Sequence, residues 1–247
     1  MGSDLLYFAA VGFLAQLVDG ALGMAFGLIC SSSLLAFGLP PAVASAAVHT
    51  AEMVTTGLSG LSHLYHRNVE KRLFLPLAVA GVLGGVTGAF LLVGLPEHAI
   101  RGFVAAYLVC MALLILGRAL GHFQLTGQPP LVPLGASGGF LDAVGGGGWG
   151  PIVTSTLLAS GSDPRRAIGS VNCAEFFVTV AISATLLLHL DISQLGRVVL
   201  GLILGGALAA PLAGYLLRIM PQRAVLGLVA LVVSFQAGLA IWRLLRA

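Results

Sequence analysis

The chain has 247 residues, of which 12 are lysine or arginine and 9 are aspartate or glutamate, so 9% are charged while 58% are hydrophobic. Its mean hydropathy is +1.03. Soluble domains carry about 25% charged residues because their surface faces water, and this composition therefore excludes a soluble enzyme or a disordered protein. It predicts an integral membrane protein. The 34 glycines and 11 prolines further predict close helix packing or interrupted helices.

The charged residues and cysteines give no sign of a nucleic-acid or metal site. Basic residues are scattered singly and form no cluster or stripe, so no nucleic-acid partner is expected. The three cysteines, Cys30, Cys110 and Cys173, lie in apolar runs without metal-ligand spacing and are predicted to be small buried hydrophobes. No metal and no cofactor is expected.

Eight apolar segments follow one another along the chain, separated by short loops rich in glycine and proline. A membrane-spanning helix needs about 20 apolar residues, and short loops make neighbouring helices mostly antiparallel. The sequence therefore predicts an all-α, polytopic membrane protein that forms one transmembrane domain. The segments cover residues 5–38, 42–66, 73–95, 99–120, 131–161, 165–189, 195–218 and 222–245.

The first and fifth segments are longer than one span needs, and each is interrupted near its middle. The first interruption reads DGALGMAFG from Asp19 to Gly27, and the second reads DAVGGGGWGP from Asp142 to Pro151. Four consecutive glycines and a proline do not sustain a continuous helix. Each segment is therefore predicted to form two half-helices with unwound backbone between them, either broken within the membrane or re-entrant.

The two interruptions belong to an internal repeat. A shift of 123 residues aligns Asp19 with Asp142 and Glu52 with Glu175, and a two-residue insertion later aligns Pro96 with Pro221. About one position in three is identical between 19–66 and 142–189, against about one in ten by chance. The chain is thus predicted to contain a first repeat at 1–125 and a second at 126–247, with four segments each.

Basic residues in the loops favour inverted repeats. If every segment crosses once, seven basic residues lie on one side and five on the other, which decides nothing. If each broken segment returns to its starting side, the numbers become eight and four, a positive-inside bias. This arrangement places both termini outside the cytoplasm. The eight are Arg67, Lys71, Arg72, Arg118, Arg165, Arg166, Arg218 and Arg223.

Inverted repeats with discontinuous helices suit an anion site at the midplane. Half-helix N-termini offer unpaired N–H groups to an anion, and glycine lets the backbone approach it. The alternative is that these glycines only permit close packing, as expected for those at 81–88 and 201–206. The residues predicted to bind substrate are Gly20, Gly23, Gly27, Gly145, Gly146, Gly147, Gly148, Trp149 and Gly150.

Four of the nine carboxylates, Asp19, Glu52, Asp142 and Glu175, lie in membrane segments, where ionisable groups are functional candidates. The glutamates either exchange protons and couple anion movement to a proton gradient, or accept hydrogen bonds from the opposite break as structural struts. The aspartates are predicted to cap the following half-helices.

One helical stripe carries further polar groups. It combines Ser45, His49, Glu52 and Thr56, and Asn172 takes the position of His49 in the second repeat. His49 is therefore the candidate for a pH-sensitive contact and, with Asn172, for substrate binding. A hydrogen-bonded interior histidine is the alternative.

An intramembrane serine protease is a minor alternative. Gly135-Ala136-Ser137-Gly138 fits a GxSG pattern, and His189 lies on a later segment. A four-residue match is weak in a chain so rich in glycine, and Ser137 precedes the break instead of lying in it. The sequence gives this interpretation little support.

The duplicated unit, with DGALGMAFG in one half and GFLDAVGGGGWGP followed by Asn172-Cys173-Ala174-Glu175 in the other, resembles the TauE/SafE family of bacterial anion permeases. The resemblance covers nearly the whole chain. It implies transport, usually export, of small sulfur-containing anions such as sulfite or organosulfonates across the inner membrane, with Gly146–Gly150 and Asn172 near the substrate path.

The expected partners are a small anion and the lipid bilayer, and a second copy of the chain is a candidate partner in a homodimer. The equivalent aromatics Phe26 and Trp149 could gate the site or cover an organic tail. An anion channel of similar architecture is the main competing function.

Overall fold

A computed structural model describes residues 2–22, 24–121, 127–190, 195–219 and 222–245. These residues form ten α-helices and one short π-helical turn at Gly150–Thr154, and they contain no β-strand. The all-α prediction is confirmed. The helices are α1 Gly2–Leu22, α2 Phe26–Phe37, α3 Pro41–Tyr65, α4 Lys71–Gly94, α5 Glu97–Ala119, α6 Leu131–Gly145, α7 Ser155–Ala159, α8 Pro164–Leu187, α9 Leu195–Ile219 and α10 Gln222–Leu244.

Several helices have the length and apolar character of membrane spans. Among the described residues, Lys71–Gly94, His98–Ala119 and Pro164–Leu187 are long and apolar enough to cross a bilayer. Shorter apolar helical stretches accompany them at Leu5–Asp19, Phe26–Phe37, Leu131–Gly145, Gly150–Ala159, Gly196–Ala209 and Leu226–Trp242. Leucines and phenylalanines are exposed along these helices, as expected of surfaces that face lipid. Cys110 is also exposed, so the prediction that it is buried is wrong: it sits on an outward face of α5.

The interruptions of the first and fifth segments are confirmed. Helix α1 ends at Leu22 and α2 begins at Phe26, while α6 ends at Gly145 and the π-helical turn begins at Gly150. The chain leaves α6 through Gly146 with φ of 72°, a left-handed conformation that glycine adopts without steric cost. We call Asp19–Gly27 the first break and Asp142–Pro151 the second break.

Glycines bring the first helix of each predicted repeat close to the third apolar segment of the other. Helix α1 packs along α9, and α4 packs along α6. Gly201 lies against Phe8 and Gly205 against Ala9, so α1 and α9 run in the same direction. Gly84 and Gly88 likewise meet Ala136 and Phe140 in order along α4 and α6. The predicted packing role is confirmed for Gly84, Gly88 and Gly205, because a Cβ there would collide with the facing backbone. Gly81 and Gly85 pack against side chains of Trp149 and Ile182, and a Cβ on Gly206 would make only ordinary contacts.

Helices α3 and α8 cross in opposite directions. Gly57 lies against Phe176, Gly60 lies against Cys173, and Asn68 just beyond α3 lies against Gly169 near the start of α8. Residue numbers thus rise along one helix as they fall along the other. The polar stripe of α3 faces the centre of the molecule, where His49 is fully buried.

Loop contacts define two sides of the molecule. The loop at 66–70 touches the start of α8, where Glu70 pairs with Arg166 at 3.7 Å and its N–H donates to the Ser170 hydroxyl at 2.8 Å. We call this the basic side. Pro40, Leu95 and His189 line one pocket together, and they mark the opposite side.

Candidate functional site

The two breaks meet at the centre of the molecule. Gly27 is so close to Gly147 that a Cβ on Gly27 would lie 2.7 Å from the Gly147 Cα. Beside this contact is a cavity of about 10 Å³, which is room for about one water molecule. Its wall is built from both breaks and from α3 and α8. The lining residues are Asp19, Ala25, Phe26, Gly27, Leu28, Glu52, Asp142, Gly147, Gly148, Trp149, Gly150, Pro151 and Glu175.

Asp142 holds the second break together. Its Oδ1 accepts hydrogen bonds from the N–H groups of Gly148 at 2.6 Å and Trp149 at 3.0 Å. The carboxylate is buried, with 2% of the residue exposed. These N–H groups lack helical partners because the chain is unwound at 146–148, and the carboxylate satisfies them. Asp142 therefore acts like a cap, although it lies in the last turn of α6.

Asp19 has the equivalent contact in the first break. Its Oδ1 accepts from the Phe26 N–H, the first of α2, at 3.2 Å. Ala25, just before it, has φ of 127°, a conformation that residues with a Cβ rarely adopt. The first break makes this turn without a glycine at that position, whereas the second break has glycine at the equivalent Gly148.

His49 and Asp142 form a buried polar contact. The Nδ1 of His49 lies 2.7 Å from the Ser45 carbonyl oxygen, which only accepts, so Nδ1 carries a hydrogen. The Nε2 lies 3.2 Å from Asp142 Oδ2. A hydrogen bond there requires a second proton, held either by the imidazole or by the carboxyl group. The pair has no net charge in either case, which suits its complete burial.

Two glutamates complete the cavity. Glu52 Oε1 lies against Gly27 of the break in its own repeat, whereas the strut alternative placed it at the opposite break. Its Oε2 is buried and has no hydrogen-bond partner among the described residues. Glu175 lines the same cavity from α8. A buried unpaired carboxyl oxygen is costly unless it is protonated or meets a ligand.

The remaining predicted residues lie around this centre. Gly145 packs against the Tyr107 ring and Gly146 against Ser31, so neither lines the cavity. Gly20 falls in the last turn of α1 instead of in unwound backbone, and Gly23 lies outside the described residues. Asn172 donates to the Ile168 carbonyl at 3.1 Å on its own helix.

The two aromatic candidates have their side chains in the packed interior. The Trp149 indole is fully buried, lies against Gly81 of α4 and Gly138 of α6, and donates to the Val171 carbonyl at 3.2 Å. The Phe26 ring lies near Gly206 of α9. Both residues line the cavity, but their rings anchor the breaks to neighbouring helices.

Three hydroxyl groups fasten the second break. Tyr107 donates to the Gly147 carbonyl at 2.7 Å, Ser31 to the Gly145 carbonyl at 2.8 Å, and Ser45 to the Ala143 carbonyl at 2.7 Å. They satisfy carbonyls that an unwound segment leaves free. The sequence placed Ser45 on the polar stripe of His49 without assigning it this contact. It missed Tyr107 and Ser31, which carry no comparable signal.

The protease interpretation has no geometric support. The Ser137 hydroxyl donates to the Pro133 carbonyl at 2.8 Å, and His189 Nδ1 contacts the Thr185 carbonyl at 2.7 Å. Each side chain thus bonds to its own helix. The His189 ring packs on Phe90 near the opposite side, and the described contacts include no hydrogen bond between Ser137 and His189.

The fold consists of apolar helices around two broken segments, and these segments meet beside buried ionisable groups. This arrangement is typical of a multi-pass membrane transporter. The family described as "Sulfite exporter TauE/SafE" matches residues 8–240. The chain belongs to this family. It is also 41% identical over 226 residues to the "Probable membrane transporter protein YtnM" of Bacillus subtilis (strain 168), which covers 87% of this chain and 75% of that protein. No solved structure matches the chain.

Proposed function

We propose that this protein is a secondary transporter that exports small sulfur-containing anions, such as sulfite or organosulfonates, across the bacterial inner membrane. The observation that carries the proposal is the contact between the two breaks at a buried centre, where unwound backbone presents N–H groups. The name of the matching family, sulfite exporter, supports the choice of substrate.

The aspartates accept hydrogen bonds from the backbone N–H groups that a bound anion would use. Asp142 accepts from two break N–H groups and Asp19 from one. A sulfite or sulfonate has the same kind of acceptor oxygens, so it competes with these carboxylates for the same donors. The cavity of about 10 Å³ is too small for such an anion. Binding therefore requires the breaks to separate and the carboxylates to release their N–H groups.

Proton transfer provides a way to release them. When Asp142 holds the proton that lies between it and His49, its carboxyl group becomes a weaker hydrogen-bond acceptor. Glu52, with its unpartnered oxygen, and Glu175 lie across the same cavity and can take up further protons. In this mechanism the acids are neutral when the anion is present, which removes the repulsion between four carboxylates and an anionic substrate.

The repeats supply two alternative openings. We assign 1–125 and 126–247 as inverted repeats, supported by the antiparallel crossing of the equivalent helices α3 and α8. Helix α1 runs parallel to α9 and α6 parallel to α4, which agrees with broken segments that return to their starting side. The basic side is then cytoplasmic and both termini are outside. Rocking one repeat against the other would expose the breaks to each side in turn.

An anion channel is the second candidate. A channel needs a continuous hydrated path, but the two breaks are in contact and the cavity between them is closed down to about one water. This geometry favours a carrier.

Reconstitution into proteoliposomes tests the proposal. We expect saturable uptake of sulfite or an organosulfonate, with counterflow when unlabelled anion is trapped inside. A flux far above about 10³ per second, without saturation or counterflow, would show a channel instead. If sulfite, sulfonates and thiosulfate all fail to move and to bind, the sulfur-anion proposal is wrong.

A further inference from the structure

Arg118 is a cationic side chain that reaches both broken segments. It lies in the last turn of α5 and is half-buried. Its Nη1 donates to the Met24 sulfur of the first break at 2.9 Å and also donates to the Ser155 hydroxyl at the start of α7. Ser155 itself lies 3.5 Å from the Met24 sulfur. One guanidinium thus connects a residue of the first break with the half-helix that follows the second.

The partners of Arg118 are both uncharged. A thioether is a weak acceptor and a hydroxyl a neutral one, and no described carboxylate forms an ion pair with this arginine. A half-buried guanidinium usually has a carboxylate or phosphate partner, because removing its charge from water is costly. The contacts therefore leave this cation available to an anion that arrives from the basic side.

Arg118 also lies close to the central cavity. Met24 immediately precedes Ala25, and Ser155 follows the π-helical turn that begins at Gly150; Ala25 and Gly150 both line the cavity. Helix α5 ends on the basic side, so the guanidinium lies between that side and the breaks.

The sequence repeats the same pair of residues. The insertion that aligns Pro96 with Pro221 also aligns Arg118 with Arg243, near the end of α10. The shift of 123 residues aligns Ser155 with Ser32 of α2. An arginine and a serine thus recur in both halves of the sequence.

We propose that Arg118 and Ser155 form an anion-binding gate on the basic side. This inference rests on the proposed function and adds a cationic site for the oxyanion. The arriving anion replaces Met24 and Ser155 as partners of the guanidinium, which opens the route to the breaks. A planar, two-pronged guanidinium suits an oxyanion better than an ammonium group does.

The test measures sulfite transport from each side, in inside-out and right-side-out vesicles that contain the full chain. We expect Arg118→Gln to raise the half-saturating sulfite concentration on the basic side at least tenfold while changing it less than twofold on the opposite side. Arg118→Lys and Ser155→Ala should give smaller effects on the basic side. Arg72→Gln is the control, since it removes an exposed charge from the same side.

The possible outcomes are distinguishable. The gate is overturned if Arg118→Gln changes the half-saturating sulfite concentrations no more than Arg72→Gln does. It is also overturned if Arg118→Gln raises the half-saturating concentration equally on both sides. If Arg118→Gln does not accumulate in the membrane, Arg118→Lys and Ser155→Ala are compared with Arg72→Gln instead. Half-saturating concentrations equal to those of Arg72→Gln then overturn the gate. If the unmodified protein transports none of the sulfur anions, the proposed function fails and the gate fails with it.

Discussion

At the scale of single residues, the chain places its few ionisable groups where they satisfy unwound backbone. Asp142 combines three polar contacts, with Gly148, Trp149 and His49, whereas Asp19 has one, with Phe26. A carboxylate that accepts from backbone N–H groups replaces the helical bonds lost at a break. These residues therefore hold the two breaks together, and the proposed mechanism has them compete with the substrate anion for the same N–H groups.

The difference between the aspartates predicts unequal effects on stability. Replacing Asp142 with alanine leaves two buried N–H groups and His49 without a partner, which should cost about 3 kcal/mol, against about 1 kcal/mol for Asp19→Ala. Thermal unfolding of the purified variants in detergent measures this. Equal shifts for both variants would show that the contacts of Asp142 contribute nothing beyond those of Asp19.

The cavity acids predict how transport depends on protons. We expect Glu52→Gln combined with Glu175→Gln to abolish the stimulation of sulfite transport by a pH gradient, because glutamine keeps the shape but cannot carry the proton. Glu70→Gln is the control, since Glu70 lies outside the cavity on the basic side. Transport assays with and without an imposed gradient give the answer. Unchanged dependence in the double variant removes these glutamates from coupling.

At the scale of elements, the contact between the two breaks decides which glycines matter. Gly147 faces the Gly27 backbone so closely that no Cβ fits, while Gly102 of α5 has nothing within 4 Å of an added Cβ. Both are glycines of apolar segments, and composition alone does not distinguish them. Their surroundings do, because one lies at a meeting point and the other on an open helix face.

This contrast predicts opposite outcomes for the same substitution. Gly147→Ala forces the breaks apart or twists them, so sulfite transport should fall at least tenfold and thermal stability should decrease. Gly102→Ala should keep transport and gain up to about 1 kcal/mol, as alanine favours a helix interior over glycine. Uptake and thermal unfolding are compared for the two variants. Full activity in Gly147→Ala would contradict a close meeting of the breaks.

At the scale of the whole molecule, the helix directions predict sidedness. The loop at 66–70 contacts the start of α8, while Pro40 and His189 share the opposite side. Single cysteines at His66 and Ser162 should therefore react with an impermeant thiol reagent from the cytoplasmic side. A cysteine at Ser3 should react only from outside, in a background where the native cysteines are replaced. Labelling of Ser3→Cys and His66→Cys from the same side would rule out the inverted arrangement.

The sequence by itself determined the membrane class, the helical segments and the position of both breaks, and it predicts the duplication. These features follow from composition, apolar run length and local backbone preferences, which are properties of neighbouring residues. The glycine run and Asp142 were recognisable for this reason, and so was the family resemblance.

Only the tertiary structure decided which residues meet. Several contacts depend on helices that are far apart in sequence. Gly27 faces Gly147, His49 reaches Asp142, Tyr107 donates to the second break, and Arg118 touches both broken segments. The same holds for the indole of Trp149, which anchors the break in the protein interior. Such contacts are set by how helix faces pack against one another, and one helix's periodicity does not reveal which face of another helix it will meet.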